Sequence, residues 1–292
     1  MASRIKHIGI MSQNATRMFK FYESLFDFRR ARYQYTLDYE KDLAKDFGYP
    51  MLSSGRVATH FDRTIIATDG NIGVAFNRRR PGYHAGLDHF GIQVDDLEGT
   101  TVRIREKYPS VGLVQRPSYR TFADHSTHDP EGNIYDLMQP GKKEAKGVWR
   151  EESEKKQRTI THLTIRAINP EAMAEFYASV YGFEELDRAS QDPSYYLSDG
   201  TVTMVFAPWK IEDYLGTEHK RAGMDHIGFK VESVEAFKKD VETLGSMDPE
   251  WMAPKTPNLE REFNVILGLL KSCPYGRYHL ADPEGNLLDV AD

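Results

Sequence analysis

Met224-Asp225-His226-Ile227-Gly228-Phe229 and Asp282-Pro283-Glu284-Gly285-Asn286-Leu287-Leu288-Asp289-Val290 decide how this chain is read. The first is a short strand pattern opened by an acid and a histidine. The second is a tight turn feeding a strand that carries Asp289. Proline presets the turn, and Gly-Asn supplies the positive φ it needs. Between them lie a helix over Val234 to Leu244, a long loop and a strand over Tyr275 to Leu280. Working outward, His162 sits in the strand Thr159 to Arg166, where this half of the chain begins. Two histidines and one carboxylate, each on a strand, can hold a divalent metal on one face and leave other positions open. That is the donor set of mononuclear non-haem iron sites.

The same pattern occurs earlier. Phe21-Tyr22-Glu23-Ser24-Leu25-Phe26-Asp27-Phe28 matches Phe176-Tyr177-Ala178-Ser179-Val180-Tyr181-Gly182-Phe183 at an offset of 155 (176 minus 21), and His7 and His162 share that offset. A second Asp-Pro-Glu-Gly-Asn turn starts at Asp129, at an offset of 153 (282 minus 129). An offset this constant means duplication. In the first half, Arg4 to Ser12 reads as a strand, Asn14 as the cap of an apolar-striped helix, and Phe28 to Tyr35 as a strand. Asp69-Gly70-Asn71 joins a hairpin. Gly86 to Val94, a helix from Leu97 to Tyr108, and strands over Arg120 to Ser126 and Ile134 to Gln139 make the second unit. In the second half, Asn169-Pro170 starts a helix, with strands over Glu184 to Ala189, Ser194 to Ser198 and Val202 to Phe206. Ala253 to Lys271 is an insertion with an apolar-faced helix pattern. The result is four units of strand, helix and strands. The expected organisation is a first domain over 1–140, a charged linker over 141–158 and a second domain over 159–292.

Composition narrows the function. The chain has 292 residues, 40% hydrophobic and 28% charged, with a net charge of -6 from 38 basic and 44 acidic residues spread along it. That argues against nucleic acid or an anionic membrane as a partner. A single cysteine, Cys273, excludes an internal disulfide and a thiolate-rich metal site. No apolar run has the length of a membrane helix and no signal-peptide pattern opens the chain, so a cytoplasmic location is expected.

The Phe-Tyr helix, the two Asp-His-x-Gly strands and the two Asp-Pro-Glu-Gly-Asn turns together resemble the vicinal oxygen chelate superfamily, the glyoxalase/bleomycin-resistance/extradiol-dioxygenase group. The resemblance covers everything except the linker and insertions, and the four-unit layout is closest to the type I extradiol dioxygenases. It implies an α+β fold of four βαβββ units paired into two tandem cupped barrels. It implies metal ligands at His162, His226 and Asp289, with a possible second metal at His7, His89 and Asp136. Two positions depart from the pattern. Asp289 stands where the group usually has Glu, and the hairpin near Thr201-Val202 lacks the acid/base histidine of the ring-cleaving enzymes. His279, ten residues before Asp289, is then the candidate general acid/base, with Tyr278 beside it. Tyr196, Tyr275 and Arg277 are candidate substrate contacts.

The activity implied is Fe(II)-dependent extradiol ring cleavage of a catechol-like aromatic. The alternatives are a glyoxalase-like isomerase or lyase acting through an enediolate, and a non-catalytic small-molecule-binding protein. Mn, Zn, Ni and Co suit the same ligands. The partners expected are a small molecule and further copies of the chain in a homo-oligomer. His219 and the run Arg78-Arg79-Arg80 are weaker candidates for the site and for an anion patch.

Overall fold

In the computed structural model the described residues are 3–31, 53, 64–79, 82, 84–118, 120–141, 148–149, 157–215, 221–249, 265, 268–270 and 275–292. The first unit runs β1 (Ser3–Ser12), α1 (Ala15–Phe26), β2 (Arg29–Arg30), β3 (Ile65–Thr68) and β4 (Gly73–Arg78). The second runs β5 (Gly86–Val94), α2 (Leu97–Lys107), β6 (Leu113–Gln115), β7 (His125–His128) and β8 (Ile134–Met138). The third runs β9 (Thr159–Ala167), α3 (Pro170–Tyr181), β10 (Glu184–Glu185), β11 (Tyr195–Ser198) and β12 (Thr203–Pro208). The fourth runs β13 (Gly223–Lys230), α4 (Val234–Met247), β14 (Tyr278–Ala281) and β15 (Leu287–Ala291).

Units one and two share one mixed sheet, ordered β2-β3-β4-β1-β5-β8-β7-β6. Units three and four share another, ordered β10-β11-β12-β9-β13-β15-β14. In each sheet the first strands of the two units pair antiparallel at the centre, β1 with β5 and β9 with β13.

The helices start where the sequence places caps. The side chains of Asn14, Asp96, Asn169 and Ser233 each accept a backbone N–H of the first turn. Gly182 closes α3 in the left-handed conformation, a C-cap a side chain would strain. Strand alternation then sorts the faces. Ile8 and Ile10 of β1, Ile227 and Phe229 of β13, and Leu288 and Val290 of β15 point to one apolar core shared by both halves. Phe26 of α1 stacks on Phe229 at 3.9 Å, so the first helix is buried against the other half's sheet.

The two Asp-Pro-Glu-Gly-Asn turns clasp the opposite halves. Tyr22 donates its hydroxyl to Asp282 (2.9 Å), and Tyr177 donates to Asp129 (3.0 Å). Glu284 accepts the N–H groups of Gln13 and Asn14, just before α1. Glu131 accepts those of Ile168 and Asn169, just before α3. Each glutamate satisfies orphan donors at a helix start that its own half does not contain.

Several expected boundaries shift. The strand expected over Arg120 to Ser126 begins at His125, and the Asp124 side chain accepts the N–H of Gln139. The strand expected over Glu184 to Ala189 stops at Glu185; a turn closed by Asp192 N–H to Ala189 follows, and Arg188 bonds Asp192. β6 was not foreseen. Most of the charged linker and of the insertion over 253–271 lies outside the described residues, as do Arg80, His219 and nearly all of 36–61.

Candidate metal centre

The C-terminal cluster is built from one row across five strands. Reading across the sheet, Thr203, His162, Gly228, Asp289 and His279 stand opposite one another. Gly228 is required there: a Cβ at this position would collide with the His162 ring. His226 lies two residues before Gly228 and so on the same face. The register shifts between Met224 and His226, a β-bulge at Asp225. The bulge lets consecutive residues act together, and His226 Nδ1 sits 2.7 Å from Asp225 Oδ2. A carboxylate only accepts, so Nδ1 carries the hydrogen and Nε2 keeps its lone pair for the cluster. Arg166 lies 3.6 Å behind Asp225.

His162, His226 and Asp289 each offer a ligand atom, and these atoms lie within 4.8 Å of one another. Asp289 Oδ2 is 3.4 Å from His162 Nε2 and 3.9 Å from His226 Nε2, and its Oδ1 is 3.1 Å from His279 Nε2. The three residues are 0–3% exposed. Neither ring nitrogen of His162, nor Nε2 of His226 or His279, nor either oxygen of Asp289 reaches regular hydrogen-bond geometry. Buried polar atoms of this kind are costly unless something satisfies them. Burial lowers the His226 pKa, outweighing the nearby Asp225 and keeping the imidazole neutral. Burial would raise the Asp289 carboxyl, but His162 and His279 outweigh it and hold it at about 2, ionised. Imidazole nitrogens and an anionic oxygen converging in a buried space suit a divalent cation, so these residues fit the metal the resemblance implies.

The other residues predicted for this site separate by strand face. Tyr275 and Tyr196 come together, their ring centroids 5.3 Å apart, and Tyr275 lies 5.1 Å from the His162 ring. With Asp187, Arg188, Ala189 and Asp192 they line a cavity of about 250 Å³. Tyr196 donates to Asp192, and Tyr195 stacks under Arg188 at 4.0 Å. Tyr278 does not join the site. As the neighbour of His279 on a strand, it turns to the opposite face and packs on Phe237 and Lys238 of α4. Arg277 is also elsewhere, exposed and paired with Asp292.

His7, His89 and Asp136 form the second cluster, on the row Gly73, His7, Gly91, Asp136 and Ser126. His7 Nδ1 donates to the Gly73 carbonyl (2.9 Å), and His89 Nδ1, past an equivalent bulge, to Asp88 (2.7 Å). The two Nε2 atoms are 3.1 Å apart, and Asp136 Oδ2 is 3.6 Å from that of His89. Burial, then His89, push the His7 pKa down. Burial pulls on His89 likewise, but Asp88 and Asp136 prevail and raise it. His125 and His128 are half-buried, and His128 Nε2 accepts the Gly112 N–H. Arg78 and Arg79 are exposed, as expected of a solvated strand end.

The sequence reading missed Asp88 and Asp225, although their place before each histidine was the signal. It also missed Phe122, which stacks on His7 at 4.0 Å.

The comparisons agree with this fold. The model of the glyoxalase/bleomycin resistance protein/dioxygenase superfamily matches residues 4–135 and 159–290. The chain belongs to that superfamily, as two tandem glyoxalase domains. No curated protein matches it in sequence. Among solved structures it resembles a xylose isomerase-like TIM barrel/4-hydroxyphenylpyruvate dioxygenase fusion protein (12% identity, TM-score 0.58, 99% of this chain and 49% of that one). It spans about half the length of that protein. It also resembles the Mn(II)-bound glyoxalase from Novosphingobium aromaticivorans (12% identity, TM-score 0.57, 99% and 81%). A third likeness is to 2,2',3-trihydroxybiphenyl 1,2-dioxygenase from Sphingomonas wittichii strain RW1 (13% identity, TM-score 0.55, 99% and 90%). At these identities the likeness concerns the fold alone. No described helix is long and apolar enough to cross a membrane.

Proposed function

We propose that the chain is an extradiol-type ring-cleaving dioxygenase whose C-terminal half holds Fe(II) on His162, His226 and Asp289 and acts on a catechol-like aromatic. The observation that carries this reading is the convergence of buried, unsatisfied imidazole nitrogens and carboxylate oxygens beside an aromatic-walled cavity. An ion held there would chelate two adjacent substrate oxygens and neutralise their charge. Tyr196 and Tyr275 wall the space where a planar ring would lie, and flat faces orient such a ring. Asp225 holds His226 in one tautomer. His279, against the outer oxygen of Asp289, is placed to hold or pass a proton at Nε2. Burial of the ligands excludes bulk water.

The hairpin between β11 and β12 has no histidine, and this favours a second reading, an isomerase or lyase of the same superfamily in which His279 moves protons without O₂. Metal analysis of anaerobically purified protein, followed by O₂ uptake with a catechol, separates them. Iron, O₂ consumption and a yellow ring-fission product are expected. Mn, Zn or Ni without O₂ uptake would favour the isomerase. Protein that keeps no metal through gentle purification would favour a non-catalytic binder.

A further inference from the structure

The geometry points to a second divalent-metal site in the N-terminal half, on His7, His89 and Asp136, that serves structure, with Phe122 packed flat over His7. The argument begins with lone pairs. His7 gives its Nδ1 hydrogen to a carbonyl and His89 gives its own to a carboxylate. A ring that is neutral presents an acceptor at Nε2, and these two atoms face each other at 3.1 Å, a spacing that one shared proton or a bound cation would satisfy. Asp136 adds a third acceptor, Oδ2. Its other oxygen is occupied by the Ser126 hydroxyl, which Arg116 in turn contacts at 2.7 Å. Three acceptors, each with its second polar atom already anchored, repel one another unless a proton or a cation lies among them. Anchoring partners of this kind are what orient metal ligands. Two imidazoles and one carboxylate suit a borderline first-row ion such as Zn²⁺.

The cup around this cluster differs from its counterpart. Phe122 occupies the position of Tyr275 at the offset of the paired turns (275 minus 122 is 153), and it lies flat on His7 at 4.0 Å. Val148 and Trp149 pack behind it with Ala31, Ile66, Ala75 and Met138. Trp149 is tied by its indole N–H to the Lys6 carbonyl, and Val148 by its carbonyl to Arg29. Val148 and Phe122 also lie against the Gly73 position, opposite His7 on the ligand row.

The test loads full-length protein with Zn²⁺, removes loose ion and measures metal per chain and thermal midpoint. Two equivalents are expected for the wild type. His226→Ala should keep one, and adding Zn²⁺ to that variant should still raise its midpoint. His89→Ala should also keep one, and the double variant none. Asp136→Asn, which preserves size, guards against misfolding and should lose the same equivalent as His89→Ala. If His226→Ala holds no metal and gains no midpoint, a shared proton between His7 and His89 accounts for the pair and the proposal fails. If His89→Ala and Asp136→Asn both keep wild-type stoichiometry, it fails too. The N-terminal result is read in the His226→Ala background, so it stands or falls apart from the proposed C-terminal chemistry.

Discussion

The two halves share one plan and differ in what occupies the cup. Each sets a histidine, a glycine and an aspartate in a row across its central strands, with a second histidine held by the aspartate before it. In the C-terminal half the residue opposite the aspartate is His279, the ring over the first histidine is the tilted Tyr275, and a cavity adjoins them. In the N-terminal half the corresponding groups are Ser126, the stacked Phe122 and an apolar filling led by Val148 and Trp149. Duplication preserved the ligand row, and the described groups beside it differ between the halves.

The strongest challenge to that comparison is removal of a ligand. His226→Ala should abolish metal binding in the C-terminal half, and Gly228→Ala should do nearly as much by displacing His162. Metal content unchanged in His226→Ala would falsify the ligand assignment. Next in size is the clasp between halves. Asp282→Ala strands the buried Tyr22 hydroxyl and the Asn286 donors and should cost about 3 kcal/mol in urea denaturation. Asp129→Ala should cost a similar amount through Tyr177; a large difference between the two would show that the clasps are unequal. Asp225→Asn keeps the shape but weakens the anchor of His226, and metal affinity should fall roughly 10–100-fold in a competition titration. Asp88→Asn is its N-terminal counterpart.

The smallest effect concerns pH. The Arg158 side chain bonds Glu232 and the Leu25 carbonyl, linking the halves at the surface. It holds the Glu232 carboxyl below its usual range. A carboxyl depressed in the folded state adds stability above its unfolded pKa, about 4.3, and loses it as pH falls through the folded value. Glu232→Gln should therefore remove roughly 0.5 kcal/mol at neutral pH, with wild type and variant converging in acid melts.

Much of this was legible in the residues because the relevant chemistry is local. Helix caps, the Asp-Pro-Glu-Gly-Asn turns and strand alternation depend on neighbours within a few positions. The duplication compared the two halves directly, so His162, His226 and Asp289 and their N-terminal equivalents could be named, and the structure gathers each set. Face selection was less legible. Tyr278 and His279 are adjacent, and strand register sends only His279 toward Asp289. Arg277 sits in a short exposed stretch where its charge finds Asp292 instead.

The sequence by itself determined the repeat, the donor types and the glycines that leave room for imidazoles, since these follow from residue identity and spacing. Tertiary structure alone decided the bulges that bring Asp88 and Asp225 beside their histidines, the reach of Glu131 and Glu284 to the opposite half, and the packing of Phe122 over His7. Those outcomes depend on contacts between residues up to 272 positions apart, as in Ser12 and Glu284. No local pattern specifies such a contact, because packing of the shared core sets which distant groups meet.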